Sequence, residues 1–236
     1  MRSGSEGFAL MMVMMTMLLM SALGAALVLL TSSETSIAAS YRRGVEALYA
    51  ADAMAERALH DLEPLDWGLV VSGAVRSSFA EGPPAGPRPV AGAGTIDPAD
   101  AVSMANCGKT TCSSADLVEN ATGDRPWAVD NPVWQLFGYG PLSAITAGPG
   151  RRVPFYVVAM VARNPAAASR DPVDALLLRA EAFGPRNTHK VIALAVARRF
   201  TGMRTPQDGQ GGHDSSVTQA SGGSSRVRVV SWREIR

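Results

Sequence analysis

Apolar residues run almost unbroken from Phe8 to Leu30, then thin to every third or fourth position as far as Leu62. The first stretch is 23 residues long, carries no charge and is interrupted by only two polar residues, Thr16 and Ser21. As a helix rising about 1.5 Å per residue it is long enough to cross a ~30 Å hydrocarbon core with some tilt. A cleavable secretory signal has a shorter apolar region, roughly 7 to 15 residues, followed by a small-residue site. Gly24-Ala25-Ala26 is a weak version of such a site and lies inside the run. A retained span over 8–30 is therefore favoured, with a removed signal or a buried core helix as alternatives. Arg2 flanks the run on one side and Arg42 and Arg43 on the other, so charge balance does not set its orientation.

Beyond the span, Ile37, Tyr41, Val45, Leu48, Ala51, Ala55, Ala58 and Leu62 recur at helical spacing on one face. Glu46, Asp52, Glu56, Arg57 and His60 fall largely outside that stripe. No proline interrupts residues 8–63, and Pro64 supplies the stop. One helix over 8–62 would be about 80 Å long, with Gly24 and Gly44 as points of weakness at about 1 kcal/mol each against alanine.

The remainder divides by breakers and alternation. Residues 65–80, with Trp67, Leu69, Val70 and Val75, are expected to fold back on the helix end. Residues 81–98, rich in Pro and Gly, read as an extended loop. Residues 99–150 show no clear period, and the aromatics Trp127, Trp134, Phe137 and Tyr139 read as core plugs in preference to a ligand platform. Residues 155–162, 175–183 and 190–200 are short runs rich in Val, Leu and Ile with Pro or Gly near their ends, which predicts strands. Gly184-Pro185-Arg186-Asn187 predicts a hairpin between the last two. In the third run, Val191, Ala193, Ala195 and Ala197 form a small-residue face opposite Ile192, Leu194, Val196 and Phe200, and an alanine-rich helix is the alternative there. Residues 201–225 are rich in Gly, Ser and Gln and read as a flexible loop. Arg226 to Ile235 alternates arginine with valine and predicts a last strand, at a sheet edge with its arginines in water.

Three further sequence features carry the functional reading. Glu6-Gly7-Phe8-Ala9-Leu10 resembles a prepilin processing site, cut after glycine to leave an N-terminal phenylalanine. The run from Thr31 to Leu62 is similar to the N-terminal region of PilX-type minor pilins, with an acid after the membrane (Glu34), a tyrosine-arginine step (Tyr41-Arg42) and an alanine-rich segment around an acid (Ala50-Ala51-Asp52-Ala53). The segments "LDWGLVVSG", "NPVWQLFGYGPL", "LLLRAEAFGP" and "RVVSWREIR" also look like bacterial proteins with that N-terminal region. The resemblance implies an α+β, pilin-like fold: a long transmembrane and amphipathic helix whose outer half packs on one antiparallel sheet of about four strands. It implies a leader at 1–7, a transmembrane helix at 8–30, an amphipathic continuation at 31–63 and an exported domain at 64–236 with loops at 81–98 and 201–225.

One departure refines this. Major pilins carry a glutamate at the fifth mature position, which counted from Phe8 is Met12 here. A carboxylate in lipid is costly unless paired, so its absence removes a specific docking contact. That suits a minor pilin or the similar K-type pseudopilin of type II secretion. Small residues such as Ser21, Ala22, Ala25 and Ala26 would serve helix packing. The methionines from Met11 to Met20 would be adaptable fillers or simply lipid-facing.

Composition changes the picture only slightly. Net charge is +1, which gives a nucleic-acid surface no global support. His60, His189 and His213 are scattered, no nucleotide-binding or hydrolase motif occurs, and no enzyme, cofactor, metal or small-molecule substrate is expected. Cys107 and Cys112 in "CGKTTC" read as a disulfide pinning a short loop, with free thiols and half a metal site as alternatives. Asn120-Ala121-Thr122 fits a glycosylation sequon and is assigned no role.

The resulting expectation is a pilin-like structural subunit for priming or tip assembly of a type IV pilus or related filament. The chain would be single-pass in a bacterial inner membrane with its C-terminal domain in the periplasm, en route to a cell-surface filament. Its partners would be other pilins, through the N-terminal helix, and prepilin peptidase, with Glu34 and Asp52 as candidates for helix pairing. Alternatives are a type II secretion pseudopilin, or a single-span periplasmic binding protein using the Trp127 to Tyr139 aromatics.

Overall fold

The structure, a computed structural model, describes residues 5–119, 132–145, 153–164, 175–200 and 225–235. Trp127, the sequon at Asn120 and nearly all of the 201–225 stretch lie outside the described residues. The chain divides into two compact units, Met1–Val45 and Glu46–Arg236. One helix, α1 (Ser5–Leu62), contributes to both.

In the first unit α1 is apolar all round its surface from Phe8 to Leu30. Large hydrophobic residues from Phe8 to Leu30 are 50% to 74% exposed. Farther along, Ile37 and Tyr41 are also exposed, so the apolar stripe is uncovered where it begins.

In the second unit the same stripe becomes a buried seam of Ala47, Ala50, Ala51, Met54, Ala55, Ala58 and Leu62. It packs on a five-stranded antiparallel meander, β3 (Gln135–Pro141), β4 (Tyr156–Arg163), β5 (Ala175–Gly184), β6 (Thr188–Phe200) and β7 (Ser225–Ile235), in sequence order. Side chains alternate across a strand, so Val157, Ala159, Val161, Leu176, Leu178, Ala180, Ile192, Leu194 and Val196 face the seam. The alanines let the helix lie close to the sheet. Gly184, Arg186 and Asn187 form the hairpin between β5 and β6, and Arg186 and Asn187 adopt positive φ. β6 is a strand along its length, which removes the alanine-rich helix alternative.

Pro64 follows the end of α1, and the chain turns into the short helix α2 (Trp67–Val71), capped by Asp66. Trp67 is fully buried; its indole N–H donates to the Leu62 carbonyl at 3.0 Å and Arg198 stacks over its ring at 4.5 Å. A terminal carbonyl of α1 is thereby satisfied from the side.

The sheet's other face carries a second layer that the sequence reading did not foresee. A two-stranded hairpin, β1 (Arg88–Val90) with β2 (Gly94–Ile96), lies within the stretch expected to be a loop, and it leads into helix α3 (Pro98–Cys107). Asp97 caps α3 with Pro98 at its first turn, and Gly108 ends it in the left-handed conformation, φ 72°. Val90, Ala101 and Ala105 cover Trp134, Tyr139, Tyr156, Val158 and Met160. The inner strands of the sheet thus form a central layer buried on both faces, with five strands in place of about four. A short helix, α4 (Ser114–Glu119), follows α3.

Candidate assembly interface

Gly7 and Phe8, the expected processing pair, both lie in the first turns of α1, and Phe8 is exposed. A Cβ built on Gly7 would meet no atom within 4 Å, and the same holds for Gly24. Glycine within a helix costs about 1 kcal/mol relative to alanine, so packing inside the chain gives neither glycine a reason to be there. Glu34 and Asp52, the residues expected to pair, are exposed.

Among the described residues one helix is long and apolar enough to cross a membrane, with a mean hydropathy of 2.3 over its best window. None of that window is buried. Removing apolar area from water is worth roughly 25 cal/mol per Å², so a surface of this kind favours a covering, and the described residues of its own unit supply none. Residues 6–55 match the family model described as PilX N-terminal. That stretch is similar to the N-terminal region of PilX-type proteins. Comparison with curated proteins found no match, and comparison with solved structures found none. The matched stretch includes Gly7, Phe8, Met12, Glu34 and Asp52.

The remaining chemistry lies in the second unit and is structural. Cys107 and Cys112 are joined as a disulfide with Cα atoms 6.0 Å apart, tying the end of α3 to the following loop. The start of α4 is fixed by reciprocal bonds between Ser113 and Asp116, and Lys109 reaches Asp116 at 2.6 Å. Those contacts, led by the Lys109 bond, hold the Asp116 carboxyl below the usual carboxylate range.

Two buried carboxylates escaped the sequence reading. Asp61 lies on the sheet-facing side of α1, accepting from the Ser77 and Ser78 hydroxyls, with Arg57 Nε at 3.2 Å. Burial works to raise its pKa, but the Ser77 bond and the Arg57 charge outweigh it and hold the carboxyl low. Glu181 on β5 is 3% exposed and is held by Arg179 Nε at 2.6 Å and His189 Nε2 at 2.8 Å. Burial again opposes ionisation, and the His189 bond and Arg179 charge reverse the balance. The signal for both was an acid placed where the surrounding pattern is apolar: Asp61 beside Leu62 and Ala58, Glu181 within "LLLRAEAF".

Glu181 borders a pocket of about 430 Å³ between α3, the β1–β2 hairpin and the β5–β6 turn. Its carboxylate is already engaged by the Arg179 guanidinium and the His189 ring. No group of three or more metal-ligating side chains occurs among the described residues. Trp134, Phe137 and Tyr139 are at most 2% exposed. The aromatic platform required by the binding-protein alternative is thus absent from the described residues.

Proposed function

We propose that the chain is a minor pilin-like subunit, inserted as a prepilin, trimmed after Gly7 and used in priming or capping a type IV pilus or related filament. The helix over 8–30 enters the inner membrane and then bundles with helices of other pilins, and the domain that follows lies in the periplasm. The observation that carries this reading is the apolar surface of Phe8 to Leu30, uncovered within its own unit, inside a region of PilX type. The Cys107–Cys112 disulfide supports export to an oxidising compartment. Met12 at the fifth mature position favours a minor subunit over a bulk one, and it keeps a type II secretion pseudopilin as the second reading.

The test places a charge in the helix. Leu19→Glu or Val28→Glu alters an exposed apolar residue, and a charge near the centre of a span costs about 3 kcal/mol on the insertion scale. Filament incorporation, scored by immunoblot of sheared filaments, should be lost while the disulfide still forms. Normal incorporation of both variants overturns the bundling role. Intact mass of the native protein should begin at Phe8; a chain beginning at Met1 overturns the processing step.

A further inference from the structure

The two edges of the five-stranded sheet are treated differently. Along β3, residues 77–81 run parallel to the strand and complete its hydrogen bonding: Ser77 N–H donates to Phe137 O at 2.9 Å, Tyr139 N–H to Phe79 O at 2.9 Å and Glu81 N–H to Tyr139 O at 3.0 Å. At the other end, no described strand pairs with the outer edge of β7, which is 11 residues long. A row of N–H and C=O groups on so long an edge is a template for another strand.

The side chains of β7 are sorted by face. Register places Val229 beside Val196 and Trp232 beside Leu194, on the side that α1 covers elsewhere in the sheet. Val196 and Leu194 are buried, whereas Val229 is 40% and Trp232 51% exposed, and Val230, the extra residue of a bulge, is 64% exposed. The opposite face carries Arg228 and Arg233, in register with Ala197 and Ala193 of β6. Glu234, on the Trp232 side, is engaged by Lys190 at 2.5 Å.

Charge and a bulge on an edge strand are devices that discourage indiscriminate pairing. Here they are selective, because the described charged side chains of β7 on that face, Arg228 and Arg233, have the same sign. A second copy pairing β7 with β7 brings arginine rows together, and like charges opposite one another destabilise a strand pair. An incoming strand with carboxylates on that face and apolar residues on the other gains attraction from the arginines and covers Val229 and Trp232. Protected edges do not leave a tryptophan uncovered.

We propose that the free edge of β7 is a docking edge for an extended, acidic segment of a partner protein, which adds as a sixth strand. The partner alternates acidic with apolar residues, main-chain bonding supplies affinity and the arginine row supplies selectivity. This goes beyond the filament reading and does not depend on it, since none of these residues lies within 6–55.

The full chain in neutral detergent is titrated with two fluorescent ten-residue peptides, one alternating glutamate with valine and one alternating lysine with valine. The acidic peptide should bind saturably and at least tenfold more tightly than the basic one. Methylating its backbone amides on the strand-facing side should abolish binding, a control that needs no protein variant. Arg228→Glu with Arg233→Glu should reverse the preference, and Trp232→Ala should weaken binding severalfold. Equal binding of both peptides, indifference to amide methylation, self-association that Trp232→Ala disrupts, or acquisition of affinity only for anionic lipid in nanodiscs would each overturn the proposal. Loss of filament incorporation in the helix variants would be unaffected by any of these results.

Discussion

Replacing Asp61 by alanine is expected to be among the most damaging single changes on the seam, although the position is polar. Asp61 is 8% exposed and Ser77 5% exposed, and each depends on the other. The alanine variant leaves the Ser77 hydroxyl buried without its acceptor, a loss of about 1 to 3 kcal/mol. It also removes the Arg57 ion pair, whose partly exposed arginine limits the further loss to about 0.5 kcal/mol. The sum, about 2.5 kcal/mol, corresponds to a roughly 60-fold fall in the folding equilibrium at about 1.4 kcal/mol per tenfold.

Urea unfolding of the full chain in detergent, followed by tryptophan emission, measures this at pH 7, because Trp67 is buried immediately beyond the end of α1. Ser77→Ala alone should cost less, and the double variant should cost less than the two singles combined, by about 1 kcal/mol or more. The pH dependence has a fixed sign. Asp61 has a lowered folded-state pKa, so its contribution is complete above the unfolded carboxylate range near ~4 and is lost as pH falls through the lower folded value. The parent should therefore lose stability on acidification below about pH 4 more steeply than Asp61→Ala. Strictly additive single and double variants, or parallel acid limbs for parent and variant, would falsify this account of the cluster.

Two other changes follow from the same core. Gly184→Ala places a Cβ 2.2 Å from the Phe155 ring with no backbone obstacle, since φ there is −139°; overpacking should cost about 1 to 3 kcal/mol in urea, and Phe155→Leu in the same chain should restore part of it. Cys107→Ser with Cys112→Ser should lower stability by about 2 kcal/mol on the loop-entropy account, and reductant should then have no further effect on the variant while shifting the parent.

What could be read from the sequence and what could not differ for physical reasons. Strands β4 to β6 were legible as short runs rich in Val, Leu and Ile with Pro or Gly near their ends, as at Gly184-Pro185, and β7 from its alternation of arginine with valine. The seam was legible from Ala51, Ala55, Ala58 and Leu62, although Ala47, Ala50 and Met54 widen it. β3 was not legible, since its Gly138 and Gly140 look like breakers. They are there because the Met54 methyl and the Phe79 ring each lie 2.9 Å from where a Cβ would stand, a demand that exists only once helix, sheet and strap have met. α3 did announce itself, through Asp97-Pro98 at its start and Gly108 at its end, yet those residues sit against a Pro/Gly-rich stretch and its buried positions are alanines too small to stand out as a stripe. The expected processing pair and the two helix acids expected to pair are legible only through resemblance, because no local geometry singles them out.

The two units place different demands on α1. From Ala47 to Leu62 the side chains are set by the domain's own sheet, which explains why alanine is so frequent: a larger residue would lift the helix from β4 and β5. From Phe8 to Leu30 no such demand operates within the unit, yet the sequence is far from free there. It excludes every charge, avoids proline and carries Gly24, whose helical cost of about 1 kcal/mol has no packing return among the described residues. On the proposed filament reading, that cost is offset by packing against a neighbouring helix. Beside Ala25 and Ala26, Gly24 makes a patch on which a neighbouring helix can approach to backbone contact, the kind of packing that works in lipid, where apolar bulk alone gives no preference for one partner over another.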